Sequence, residues 1–319
     1  MISTTGRRLF YSILLTLLVA GCQPLDTAAG GRLPVVATHS ILADLVQNVG
    51  GDRVQVQMLV QPGGDAHTFE PNPADGVALV TARLIFENGL GFEPWLDDLY
   101  AASGATAQRV VVTEGIELLP AAEETEEEHE GDGEEHEHGE WDPHVWQSVP
   151  NVMRMVQAIE AALAAADPPN ADSYQSNAVA YLEQLQELDH WIFEQVNQLP
   201  AARRQLVTSH DTFAYFAQRY SFTITGTAFG SISTEAADPP AAHVAELVQA
   251  IQAAGVPAIF AENVANPGLM EQLAAEAGVR LAPPLYTDAL GEPGSQGENY
   301  LALMRYNVTT IVTALVDGS

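Results

Sequence analysis

Apolar positions along the chain switch between two periods. Residues 33–38 (Leu-Pro-Val-Val-Ala-Thr) form a continuous apolar run, which suits a strand covered on both faces of a parallel sheet. Ile41, Leu42, Leu45, Val46 and Val49 follow at helical spacing, and Gly50-Gly51-Asp52 stops that helix. Residues 54–60 return to two-residue alternation, and residues 79–86 hold another helix end and strand. The second half restarts the scheme. Strands are predicted at 205–208, 258–261 and 280–282, and helices at 211–220, 244–254, 269–277 and 300–315, with Gly255 and Gly278 as two of the stops. Strands alternating with helices predict an α/β fold.

Between the halves, residues 170–199 read as one long helix. Tyr174, Val179, Leu182, Leu185, Leu188, Ile192 and Val196 give it an apolar stripe, Pro168-Pro169 precedes it and Pro200 closes it. At about 1.5 Å per residue it extends about 45 Å, long enough for a strut between two lobes. The predicted division is an N-terminal lobe at 33–169, the linking helix at 170–199 and a C-terminal lobe at 200–319. The first lobe carries an insert at 122–140 made of Glu, His, Gly and Asp. With nothing apolar to bury, it is expected to be disordered without a ligand.

The net charge of -30, with no lysine in the chain, excludes nucleic acid and anionic lipid headgroups as partners of this surface. The N-terminus departs from the acidic pattern. Arg7 and Arg8 precede a short apolar stretch at 9–20, too short to span a bilayer comfortably, which ends Leu18-Val19-Ala20-Gly21-Cys22. This resembles the lipobox of bacterial lipoproteins. Residues 1–21 are then a signal peptide, Cys22 the lipidated new N-terminus and residues 22–32 a tether. The mature protein is expected outside the cytoplasm, anchored to the cell membrane, on the periplasmic side where an outer membrane exists. Cys22 is the sole cysteine, so neither a disulfide nor a structural thiolate metal site is available.

Three histidines sit in loop or strand-end settings: His67 in Pro62-Gly63-Gly64-Asp65-Ala66-His67, His144 in Trp141-Asp142-Pro143-His144-Val145-Trp146, and His210 in Thr208-Ser209-His210-Asp211. Asp288 lies in Tyr286-Thr287-Asp288-Ala289-Leu290-Gly291. Imidazole nitrogen and carboxylate oxygen suit zinc, and four such donors complete a tetrahedron. These segments, with Thr212-Phe213-Ala214-Tyr215-Phe216 and Ser231-Ile232-Ser233-Thr234-Glu235-Ala236, occur in the order found in a known family. From about Leu33 to the C-terminus the chain resembles the solute-binding lipoproteins of bacterial zinc and manganese ABC importers.

The resemblance implies two α/β lobes joined by one rigid helix, with metal in the cleft between them. It implies His67 and His144 as ligands from the first lobe, and His210 and Asp288 as ligands from the second. Manganese-type members carry glutamate where His210 stands, and imidazole is the softer donor, so zinc is the expected cargo and manganese, or both metals, the alternative. Glu262 ends a predicted strand and is a candidate second-shell partner or alternative ligand. Asp211 is a candidate partner for an imidazole N–H or a helix cap. His39 also could face the cleft, whereas His190 and His243 read as ordinary helix residues. His129, His136 and His138 in the insert are candidate accessory metal contacts, weaker than the cleft for want of fixed geometry.

No H-E-x-x-H helix, nucleophile elbow or P-loop is present, and four protein donors would close a zinc sphere, so no enzyme activity is expected. The expected function is extracytoplasmic capture of Zn2+ or Mn2+ by a monomer and delivery to the membrane permease of an ABC importer, with surface adhesion as a remoter alternative. Detergent phase separation tests the anchor. Cys22→Ala is expected to leave the detergent phase for the aqueous one, and unchanged partitioning contradicts lipidation at Cys22.

Overall fold

A computed structural model describes residues 31–121, 140–234 and 239–316. The first half runs β1 (Leu33–His39), α1 (Ser40–Gly50), β2 (Val54–Val60), α2 (Pro73–Thr81), β3 (Leu84–Glu87), α3 (Leu96–Ser103) and β4 (Gln108–Val111). Its strands form a parallel sheet ordered β2-β1-β3-β4. Central β1 pairs on both edges, Val35 lying between Val56 and Leu84, which explains its unbroken apolar run. Two helices follow, α4 (Val149–Ala166) and α5 (Ala171–Val196).

The second half runs β5 (Gln205–Thr208), α6 (Ala214–Tyr220), β6 (Thr223–Thr227), α7 (Ala241–Ala254), β7 (Ala258–Glu262), α8 (Gly268–Ala277), β8 (Arg280–Leu285) and α9 (Tyr300–Val316). Its strands pair in parallel as β5-β6 and β7-β8, and β5 lies alongside β7. The expected α/β architecture is therefore present in both halves.

Three apolar clusters hold the layers together. Leu79, Ile85 and Leu96 seal one face of the first sheet under α2 and α3. Leu247, Ile251, Ile259 and Leu273 seal the outer face of the second under α7 and α8. The third runs through both halves, from Ile41 and Leu45 through Trp146, Leu188 and Phe216 to Leu303. α5 lies at its centre, packed on α1 and α4 from one half and on α6 and α9 from the other. A strut buried on two sides in one continuous core acts as a rigid joint.

The strut differs in detail from the sequence expectation of 170–199. A 3-10 turn at Pro168–Asn170 precedes it, and it ends at Val196, since Pro200 biases Leu199 toward an extended conformation. Its buried face is Tyr174, Ala178, Tyr181, Leu185, Leu188, Ile192 and Val196. Val179, predicted in the stripe, is 53% exposed. α6 starts at Ala214 rather than 211, and α3, α4, β4 and β6 were not anticipated. The insert, with Cys22 and the signal segment, lies outside the described residues. Its flanks are described: Pro120 and Trp141 pair as an antiparallel bridge.

Candidate metal centre

Ligands of parallel α/β sheets gather at strand C-termini. His67 lies in the loop after β2, His210 just after β5 and Asp288 just after β8, while His144 arrives from the segment before α4. All four are buried, and their donor atoms lie within 4.8 Å of one another. The structure thus brings together the four residues singled out in the sequence.

Two of the histidines are placed by the same local device. In Asp65-Ala66-His67 and in Asp142-Pro143-His144, the aspartate Oδ1 accepts the histidine backbone N–H at 2.9 Å. Such Asx turns fix the backbone ahead of the side chain. Asp142 Oδ1 also meets Nδ1 of the His144 ring at 2.7 Å, which turns Nε2 to the centre. The other oxygen of Asp65 accepts from Thr234 Oγ1 in the second half. Gly63 permits the turn after β2: its φ of 73° favours glycine, and its N–H donates to Leu290 O at 2.9 Å.

In the second half the organising group is Glu262, at the end of β7. Its Oε1 accepts the backbone N–H groups of Ser209 (2.8 Å) and His210 (3.1 Å). Its Oε2 meets His210 Nδ1 in an ion-pair contact rather than an aligned hydrogen bond. An aromatic wall backs the histidines. Gly89, Leu90 and Gly91 take φ of 77°, 61° and 79°, a left-handed turn that brings Phe92 within 4.8 Å of the His67 ring. Glu93 secures that turn by accepting from Thr38 Oγ1 and from the Asn88 and Gly89 N–H groups, and burial pushes its carboxyl up to about 7 against those bonds. Trp146 packs 5.4 Å from His144 and donates to Thr287 O at 2.9 Å, beside Asp288.

The donor separations have the scale of a metal sphere. His67 Nε2 and His144 Nε2 are 3.4 Å apart. Asp288 lies 3.8 Å from His67, 3.8 Å from His144 and 3.1 Å from His210 Nε2. Two donors about 2.05 Å from one tetrahedral ion stand about 3.3 Å apart, inside this range. His210 Nε2 and Asp288 Oδ2 are buried without an aligned hydrogen bond, a costly state that a shared cation relieves. Burial alone would lower the His210 imidazole, but the carboxylates of Glu262 and Asp288 outweigh it and hold the pKa well above the ordinary value. Burial alone would raise Asp288, but His210, His144 and His67 hold it well below the usual carboxylate range.

The remaining candidates fall elsewhere. Among the described residues the Asp211 carboxylate forms no hydrogen bond or ion pair with the His210 ring; Glu262 occupies that position, and α6 begins too late for Asp211 to cap it. His39 ends β1 at the rear of the wall, 5.1 Å from Phe92 and 5.5 Å from Trp146, and burial pushes it down to about 3 against the pull of Asp288. It is neutral and outside the tetrad. His190 pairs with Glu194 on α5, and His243 meets the Thr227 carbonyl. His129, His136 and His138 lie outside the described residues. The sequence reading missed Asp142, although the repeated Asp-x-His spacing was a visible signal.

The pattern of the family described as zinc-uptake complex component A, periplasmic, matches residues 35–314. The manganese-binding lipoprotein MntA of Halalkalibacterium halodurans is 34% identical over 309 residues, covering 96% of this chain and 97% of that protein. MntA of Bacillus subtilis is also 34% identical, over 310 residues, covering 94% and 96%. The periplasmic zinc binding protein TroA from Treponema pallidum superposes with a TM-score of 0.78 at 31% identity, covering 89% of this chain and 99% of that one. A manganese-bound periplasmic metal binding protein from Candidatus Liberibacter asiaticus superposes at 0.74 with 26% identity, covering 88% and 98%.

The raised pKa of His210 sets a pH dependence. With its pKa held well above the ordinary value, this imidazole keeps a proton at neutral pH, and an ion bound there would have to displace it. That proton stabilises the metal-free fold fully below the ordinary histidine value of about 6.5, and the contribution is lost as pH rises through the raised value. Metal affinity runs the other way, rising up to about tenfold per pH unit between about pH 6 and about pH 8. Calorimetric titration across that range checks this; a flat affinity contradicts it.

Proposed function

The chain belongs to the family of the periplasmic component A of the zinc-uptake complex, and on that premise we propose that it captures a divalent transition-metal ion outside the cytoplasm for the permease of an ABC importer, with manganese as a cargo and zinc as its tightest competitor for the same site. The observation that carries this reading is the buried convergence of His67, His144, His210 and Asp288 within 4.8 Å. In this reading the four are the ligands, two from the lobe at 33–169 and two from the lobe at 200–319.

The sequence put zinc first on donor softness. The names of the sequence relatives favour manganese: both MntA proteins are called manganese-binding, while TroA is called zinc binding. A shared site accommodates both facts. Three imidazoles and one carboxylate suit zinc, and zinc stands above manganese in the general affinity order, so in the cell supply decides occupancy. Cys22 as the lipidated residue and 22–32 as the tether would hold the monomer near its permease. Four protein donors leave a tetrahedral ion no open position for chemistry, which suits carriage rather than turnover.

Competitive titration of manganese and zinc tests the assignment. The wild type is expected to bind one ion per chain, with zinc displacing manganese. His210→Ala is expected to weaken both by at least about tenfold, equivalent to about 1.4 kcal/mol, with circular dichroism confirming the fold. If His210→Ala binds both metals as tightly as the wild type, the cargo site has been misplaced.

A further inference from the structure

Resting on the reading of the tetrad as the cargo site, we infer that Glu262 is the positioning residue that sets the balance between manganese and zinc: its carboxylate fixes which nitrogen of His210 faces the ion and places a negative charge directly behind that ring. Three hydrogen bonds and one imidazole nitrogen converge on this one group. Oε1 receives the N–H groups of Ser209 and His210 at 2.8 and 3.1 Å. Oε2 receives Thr287 Oγ1 at 3.3 Å and stands against His210 Nδ1. A carboxylate offers about four lone-pair sites and no proton, whereas an amide of the same size accepts through one oxygen only. The position is therefore built for a carboxylate: with Nε2 committed to an ion, Nδ1 carries the ring proton, and a glutamine whose oxygen stays on the Ser209 and His210 N–H groups would turn its own NH2 against that proton.

Two consequences follow from the geometry. With Nδ1 facing a carboxylate, the lone pair of Nε2 is left for the ion, on the side where Asp288 Oδ2 stands 3.1 Å away. Glu262 also holds both C-terminal ligand loops, through Ser209 and His210 after β5 and through Thr287 after β8. Asp142 serves His144 in a similar way, but from two residues along its own turn.

Metal preference comes from the buried charge. Glu262 is 3% exposed, so its field is weakly screened. Negative charge behind an imidazole raises its basicity and adds to the attraction of the site for a cation, and manganese, which stands lowest in the divalent order and gains least from nitrogen donors as such, depends most on that charge. Zinc keeps more of its affinity when the third donor is disturbed, because His67, His144, Asp288 and a water still complete a tetrahedron.

The test compares wild type, Glu262→Gln, His210→Ala and the double variant by competitive manganese and zinc titration, with pulsed EPR of the manganese-loaded proteins to count imidazole nitrogens. Glu262→Gln is expected to lower manganese affinity about 10- to 100-fold and zinc affinity by a smaller factor. Its imidazole count should fall from three to two. In the His210→Ala background the substitution should leave the metal ratio where His210→Ala put it, since Glu262 acts through His210. If Glu262→Gln does not fold, the same ratio is read on Glu262→Asp, which keeps the charge but withdraws it from Nδ1, and a shift toward zinc is again expected. A folded variant with an unmoved manganese-to-zinc ratio overturns this inference alone. A wild type that binds neither metal overturns the cargo-site reading, and this inference with it.

Discussion

Burying a carboxylate costs several kcal/mol unless a positive charge or a full set of hydrogen bonds meets it. This chain buries three beside the same group of imidazoles: Asp142, Glu262 and Asp288, each 3% exposed or less. Glu262 is met by backbone and hydroxyl donors, and Asp142 by its own turn and the His144 ring through Oδ1, while its Oδ2 makes no hydrogen bond. Asp288 has only ring nitrogens around it, at 3.1 to 3.8 Å, and the weak contact of Thr212 Oγ1 at 3.4 Å. Its charge needs a cation at the centre of the tetrad. Without metal that role falls to the proton on His210; a divalent ion serves it better.

The scaffold is arranged around this need. Several of the hydrogen bonds between the two halves attach within a few residues of a donor residue. Trp146 Nε1 donates to Thr287 O next to Asp288, and Tyr215 Oη to Asp142 O next to His144. Gly63 N–H donates to Leu290 O, and Thr234 Oγ1 to the Asp65 carboxylate that sets the His67 turn. Behind them the shared core around α5 leaves little freedom for the halves to rotate separately. An ion that binds only this assembled arrangement stabilises it by about 4 kcal/mol at a thousandfold excess over its Kd. In the proposed function, capture and cohesion of the two halves are the same event.

Much of this was legible in the sequence. The strands expected at 33–38 and 205–208 are present, because parallel strands covered on both faces show their burial directly. The four polar residues that converge were all visible at strand ends or in turns. What was lost has physical reasons. β4 and β6 are short, and β6, Thr223-Ile-Thr-Gly-Thr, has a mixed polar pattern set by its edge position. α4 was legible but overlooked: Val149, Val152, Met155, Val156, Ile159 and Leu163 lie at helical spacing. The α5 stripe was misaligned by reading Val179 as inward, when Ala178 and Tyr181 are the buried neighbours. Glu262 and Asp211 were both candidate second-shell residues, and adjacency in sequence offered only Asp211 as a partner for His210. The true partner, Glu262, reaches it only because β7 lies alongside β5, and pairing of that kind leaves no mark in a single sequence.

Choice of metal is where sequence pattern and kinship pull apart, and the proposed site reconciles them through coordination chemistry: one donor set, backed by buried carboxylates, would serve two ions. The central claim is that His67, His144, His210 and Asp288 bind the same ion together. X-ray absorption at the manganese and zinc edges of the singly loaded protein tests it most directly. The account predicts, for both metals, an all-nitrogen-and-oxygen shell with the multiple-scattering signature of three imidazoles, zinc lying about 2.0–2.1 Å from its nitrogens. A shell of oxygens with one imidazole or none would contradict it.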